Sequence, residues 1–211
     1  MRHTFEELAQ QLVNAGHVLY AQGMVPATSG NFSARVGPEA IAITVSGTHK
    51  GRLDTSDIMA IDYQGNSIDG RRSSAETALH TQIYRHLPEV GAVLHHHSPR
   101  ATLLSQLAGE KINLSGYELL KAFPGIDTHE ATVQVPVFNN DQDIPRLADT
   151  VNNYMQSNGD LFGYLIRGHG LYTWADTVER ALNHIEAFEF LFRCELMKRG
   201  VNQDGISDNL S

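Results

Sequence analysis

Apolar positions recur along the chain with two periods. Phe5, Leu8, Leu12, Ala15 and Leu19 follow helical spacing, with Thr4 and Glu7 as a capping box and Gly23 as the stop. Short apolar runs bounded by Gly, Ser, Asn and Pro follow at 32–36, 41–45, 58–62 and 92–94, and each predicts a strand. The segment beyond Gln64-Gly65-Asn66 returns on 58–62 as a hairpin. Helices are predicted over 75–87 with Ser74 as N-cap, over 99–107 with Ser98 as N-cap and Pro99 at the first position, and over 144–156 with Asp143 as cap. Strands are predicted at 133–138, near a sheet edge because of Pro136, and at 162–166 and 171–174. The longest helix opens at Asp176-Thr177-Val178-Glu179, and its stripe of Ala181, Leu182, Ile185, Phe188, Phe192 and Leu196 reads as packing. Residues 113–121 read as a half-buried segment. Mixed strands and helices make this an α/β chain.

Length and charge narrow the class. The 211 residues suggest one domain, 1–211, with a polar tail from about residue 200. A hydrophobic share of 41% supplies a full core. The net charge of −8 argues against a nucleic-acid surface, and the absence of an 18-residue apolar run argues against a membrane span. With no signal peptide in view, a cytoplasmic protein is expected. Cys194 is the one cysteine, so no internal disulfide can form. It lies in a helical pattern and reads as core rather than nucleophile.

The chemistry concentrates in Gly91–Ser98, where a buried-strand pattern ends in His95-His96-His97. Strand side chains alternate faces, so His95 and His97 share one side and His96 takes the other. Two imidazoles at i, i+2 can reach one ion at about 2.0–2.1 Å, or form a cluster without a ligand. A third histidine, His169, follows the strand at 162–166 between Gly168 and Gly170, which permit positive φ and close backbone approach. Three histidines with an open fourth position form the catalytic zinc pattern, although imidazole also suits iron, manganese and cobalt.

Three further places can meet an anion. Ala27-Thr28-Ser29-Gly30-Asn31-Phe32-Ser33 and Ser46-Gly47-Thr48-His49-Lys50-Gly51 are small, polar, glycine-centred loops that can turn N–H groups inward. Lys50 is either a counter-charge or a solvated surface residue. Ser74 marks a helix N-terminus. Glu76, in that first turn, is either a carboxylate set against the helix dipole or an extra ligand or acid/base. Glu118 lies beside Leu119, Leu120 and Phe123. It is either a surface glutamate or a carboxyl whose pKa desolvation raises toward proton-transfer values.

Taken in order, Ser29-Gly30-Asn31, Ser46-Gly47, Ser74-Ala75-Glu76 with His80, His95-His96-His97 and Gly168-His169-Gly170 resemble the class II aldolase family of zinc-dependent sugar-phosphate enzymes. Residues 46–51, Tyr117-Glu118-Leu119-Leu120-Lys121 and residues 167–174 resemble its dehydratase members most. The resemblance implies a three-layer α/β/α sandwich on a mixed, mostly antiparallel central sheet, assembled as a homotetramer with sites between subunits. It implies one zinc per subunit on His95, His97 and His169, and Glu118 as the acid/base. The phosphate of a small sugar-phosphate substrate would be held by Ser29, Gly30, Asn31, Ser46, Gly47 and Ser74, with Lys50 alongside. Glu76 stands where the family's aldolases hold their catalytic glutamate. An aldolase or a pentose-phosphate epimerase therefore shares the pattern, and a scaffolding relative without catalysis is the remaining alternative.

Overall fold

A computed structural model describes residues 3–159 and 161–200. The polar tail expected from about residue 200 therefore lies almost wholly outside the described residues. Eight strands form one sheet: β1 (Asn31–Arg35), β2 (Ile41–Thr44), β3 (Ile58–Ile61), β4 (Ala92–His96), β5 (Lys111–Ser115), β6 (Thr132–Phe138), β7 (Gly163–Ile166) and β8 (Gly170–Ala175). Their order across the sheet is β3-β2-β1-β4-β8-β7-β6-β5. Every pairing is antiparallel except β6 with β7.

Five helices cover the faces: α1 (Phe5–Ala21), α2 (Thr77–His86), α3 (Pro99–Leu107), α4 (Ile144–Asn158) and α5 (Val178–Lys198). On one face, Leu79, Ile83 and Tyr84 of α2 and Leu147, Val151 and Met155 of α4 pack with Ile41, Ile43, Val93, Tyr164, Tyr172 and Trp174. On the other, Leu8, Leu12 and Leu19 of α1 and Ala181 and Ile185 of α5 meet Phe32, Ala34, Ala42 and Leu94. Farther along that second face, Ala101 and Leu104 of α3 and Phe188 and Phe192 of α5 pack with Leu165 and Leu171. The alternation of each strand thus feeds both layers, and the expected α/β/α sandwich is the observed one.

Local signals account for most boundaries. Thr4 and Glu7 form the capping box, and Asp143 and Thr177 accept from Arg146 N–H and Arg180 N–H. Three expectations need correction. α2 begins at Thr77, not at 75, and Ser74 does not cap it. Ser73 bridges to Val45, which holds this stretch extended, and the Ser74 carbonyl accepts from Thr77 N–H and Oγ1. The 58–62 hairpin shrinks to a bridge between Ile61 and Ser67, because Asp62 gathers the N–H groups of Gln64 and Asn66 into a tight turn. Finally, β5 falls partly within the segment read as merely half-buried. Its alternating exposure along Lys-Ile-Asn-Leu-Ser makes it the edge strand, one place outside β6. Cys194 is half-buried in α5 with a free thiol.

One polar joint ties the layers behind the histidines. Ser98 Oγ accepts from Ala101 N–H at 3.0 Å, capping α3, and donates to the buried Glu189 Oε1 of α5 at 2.5 Å. Arg100 donates to the other Glu189 oxygen at 3.3 Å. Ser98→Ala removes the cap and one bond to a buried carboxylate, each worth about 1–3 kcal/mol. The expected result is a melting point lower by several degrees in a thermal scan. An unchanged melting point would show the joint to be neutral.

Candidate metal centre

The pairing of β4 with β8 builds the site. In register, His95 faces Tyr172 and His96 faces Leu171, so His169 stands immediately before the start of β8, beside the end of β4. Gly170 lies so close to the neighbouring strand that an added Cβ would stand 1.9 Å from the His96 carbonyl oxygen. Gly168 turns at φ +65°, and its N–H donates to Ser105 Oγ of α3 at 2.9 Å. Thr102 Oγ1 donates to the His169 carbonyl at 2.8 Å, and Arg167 donates to the carbonyls of Ser105, Ala108 and Gly109. α3 therefore grips the turn that presents His169.

His95 Nε2 lies 2.8 Å from His97 Nε2 and 3.3 Å from His169 Nε2. His96 points to the opposite face, 3.6 Å from Glu189, as strand alternation predicts. His95 Nδ1 donates to the Leu171 carbonyl at 2.9 Å, which leaves Nε2 as a bare lone pair. Burial pushes the pKa of His95 well down and that of His97 to about 4, so these rings are neutral near pH 7. Neutral nitrogens crowded together suit a cation, and nitrogens on one tetrahedral ion at ~2.0–2.1 Å lie about 3.3 Å apart. Donor type and spacing fit a divalent ion, and among the described residues His95, His97 and His169 form a group that could hold one.

Glu76 is the carboxylate beside them. Its Oε1 meets His169 Nε2 at 3.0 Å, and its Oε2 accepts from Asn31 Nδ2 at 2.5 Å and Tyr172 OH at 2.9 Å. Burial pushes this carboxyl upward, but His95, His169 and Asn31 outweigh that and hold it far below the usual carboxylate range. Tyr172, which sequence reasoning missed, also stacks on His95 with centroids 4.0 Å apart. Its only sequence signal is its place three residues beyond His169 on an alternating strand.

Glu118 is elsewhere. It opens a short 3₁₀ turn, its side chain is 71% exposed, and it pairs with Lys121 at 2.7 Å and His129 at 3.4 Å. Of the two readings of its sequence, the surface glutamate is the observed one, and the desolvated carboxyl with a raised pKa is not, since the Lys121 ammonium lowers it. Leu120 and Phe123 turn inward from this segment, while Leu119 and Glu118 turn outward.

The anion loops meet through side chains. Lys50 is neither at the surface nor free. It is buried, and its Nζ donates to the carbonyls of Thr28 at 3.1 Å and Thr48 at 2.7 Å, tying the two loops together. Desolvation lowers its pKa to about 8. Gly30 takes φ +76°, with no room for a Cβ against the His95 carbonyl. Ser29 Oγ is buried without a partner among the described residues, whereas Ser46 and Gly47 are not buried. Ser74 Oγ accepts from Glu76 N–H and Asn31 Nδ2. Both ends of the Asn31 amide are engaged, toward Glu76 and toward His80.

Fold and site define a class, and comparison with known proteins identifies it. The family model of the Class II Aldolase and Adducin N-terminal domain matches residues 10–196, so the chain belongs to that family. It is 54% identical over 208 residues to a methylthioribulose-1-phosphate dehydratase of Pseudomonas fluorescens (strain Pf0-1), covering 97% of this chain and 100% of the relative. The protein of the same description from Methylococcus capsulatus is 55% identical over 199 residues, covering 94% and 98%. The solved L-fuculose-1-phosphate aldolase of Thermus thermophilus superposes with a TM-score of 0.75 at 25% identity, covering 93% and 97%.

Two outcomes test the site. His97→Ala should reduce bound divalent metal, measured by elemental analysis, from one ion per chain to a small fraction. Retained stoichiometric metal would remove His97 from the ligand set. In the metal-free protein, burial also lowers the pKa of His80 to about 4 and of His96 to about 3. The unfolded chain takes up protons below about pH 6.5 that these folded rings refuse, so stability is full above that pH. It should fall as pH drops from 6.5 toward 4, by up to ~1.4 kcal/mol per pH unit for each ring. A flat melting curve across that window would contradict the buried neutral rings.

Proposed function

We propose that this chain removes water from 5-methylthioribulose 1-phosphate to give 2,3-diketo-5-methylthiopentyl 1-phosphate, the dehydration step of methionine salvage, as a zinc enzyme and a homotetramer. The supporting observation is three mutually facing imidazole nitrogens beside a carboxylate, in a chain more than half identical over its length to named dehydratases. His95, His97 and His169 would hold a divalent ion, which when bound would supply Lewis acidity next to the substrate ketone.

The remaining work falls to side chains. Conversion to the diketone requires loss of the C3 proton and of the C4 hydroxyl, followed by ketonisation of the resulting enol. We assign the proton transfer to Glu118, which the dehydratase resemblance implies. Lys121 keeps it ionised, hence a base, and its exposure leaves it open to substrate and to a neighbouring subunit. It takes the C3 proton and returns one to the departing hydroxyl. Glu76 has its oxygens occupied by Asn31, Tyr172 and His169 and orients the imidazole cluster. The phosphate is held by Ser29, Gly30, Asn31, Ser46, Gly47 and Ser74 through N–H and O–H donors. Lys50 joins the two loops, with one ammonium N–H beyond its two carbonyl partners.

A sugar-phosphate aldolase is the second reading. It is favoured by Glu76, which stands 3.0 Å from His169 where the family's aldolases hold their catalytic glutamate. A product assay on methylthioribulose 1-phosphate and fuculose 1-phosphate separates the two. Diketone formation supports the dehydratase, and release of dihydroxyacetone phosphate supports the aldolase. Glu118→Gln should keep its metal while turnover falls by about 10²-fold or more. If Glu118→Gln turns over normally and Glu76→Gln does not, the base is Glu76.

A further inference from the structure

The roles above leave His80 unassigned, although it is wholly buried on α2 one turn beyond Glu76. It sits in an unbroken line of side chains. Tyr84 OH lies 2.9 Å from Ser33 Oγ, and Ser33 Oγ lies 2.7 Å from His80 Nδ1. His80 Nε2 meets Asn31 Oδ1, and Asn31 Nδ2 reaches Glu76 Oε2 at 2.5 Å. None of these groups needs a solvent partner.

One fact orients every bond in this line. Asn31 presents its NH₂ to Glu76 Oε2 at 2.5 Å, where the carboxyl oxygen accepts. That leaves Asn31 Oδ1 facing His80, so His80 Nε2 must carry a proton. A neutral imidazole with Nε2–H has a bare Nδ1, so Ser33 must donate to it. Ser33 Oγ is then free to accept from the Tyr84 hydroxyl. His80 is neutral because burial lowers its pKa to about 4. Were the Asn31 amide to rotate by half a turn, its oxygen would face the carboxylate and its NH₂ would face the Nε2–H. The tautomer of His80 forbids that rotation. β1 carries both Asn31 and Ser33 alongside the strand that bears His95, since Asn31 pairs with His95 and Ser33 with Val93. The line therefore runs from the α2 layer to the metal centre.

We propose that His80 is a positioning residue for the reaction. Its Nε2–H locks the Asn31 amide, which in turn holds the Glu76 carboxylate against His95 and His169. The inference rests on the reading of the site given under Proposed function. Two substitutions divide the ring into its halves. In His80→Gln, the side-chain NH₂ takes the place of Nε2–H and keeps the bond to Asn31. In His80→Asn, the shorter amide reaches only the place of Nδ1 and the Asn31 bond is lost.

With metal-loaded protein and methylthioribulose 1-phosphate, His80→Asn should lower kcat by about 10–100-fold with KM changed less than ~threefold, and His80→Gln should stay within ~threefold of the unsubstituted chain. Ser33→Ala, which frees the tautomer, should lower kcat in the same direction, and it serves if His80→Asn does not fold. Nitrogen-15 NMR of the unsubstituted protein should show His80 as the neutral Nε2–H tautomer. Equal kcat in His80→Asn and His80→Gln, or an Nδ1–H tautomer, would overturn the proposal. If the unsubstituted chain shows no dehydration, the functional reading fails while the tautomer still reports on the line of bonds.

Discussion

The antiparallel pairing of β4 with β8 is the constraint from which the site follows. It sets His95 opposite Tyr172 and leaves His169 at the turn that enters β8. The strands come so close that only glycine fits at position 170, where the His96 carbonyl occupies the space of a side chain. Strand alternation does the rest. His95 and His97 face His169, and His96 falls behind them toward α5 and Glu189. The adjacent pairing of β1 with β4 brings Asn31 alongside His95, and through Asn31 the beginning of α2.

Burial has opposite uses on the two sides of this centre. For the imidazoles it suppresses protonation, which keeps lone pairs available to a cation. For Glu76 the same burial is outweighed by its neighbours, so the carboxylate stays charged. Lys50 shows the same balance in a cation, since burial disfavours its ammonium while two backbone carbonyls receive it and the charges of Asp57 and Glu76 support it. Under the proposed function, a chain of net charge −8 would meet a phosphate ester through local, oriented donors.

Likeness to aldolases at the level of fold is consistent with shared chemistry next to a ketone. Elimination of water and cleavage of a carbon–carbon bond both begin by placing charge on the carbonyl oxygen. The histidines therefore do not separate the two reactions. The two carboxylates lie in different environments: Glu76 accepts from Asn31 and Tyr172 and lies against His169, and Glu118 is exposed beside Lys121 and His129.

Short-range rules made much of this protein readable from its residues. The capping box at Thr4, the bounds of α3, the split of His95 and His97 from His96, and the glycines around His169 all follow from neighbours a few positions apart. The convergence of residues 95, 97 and 169 was inferred from pattern, and the fold places them together. What neighbours alone could not settle were contacts between distant segments. Lys50 is buried because Thr28 and Thr48 close over it, Ser74 leaves its cap because Ser73 bridges to Val45, and Glu118 faces outward because Leu120 and Phe123 take the inside. Tyr172, Asn31 and His80 acquire their roles only when β8, β1 and α2 meet. A side chain's periodicity is local, but its partners, and hence its charge state, belong to the packed molecule.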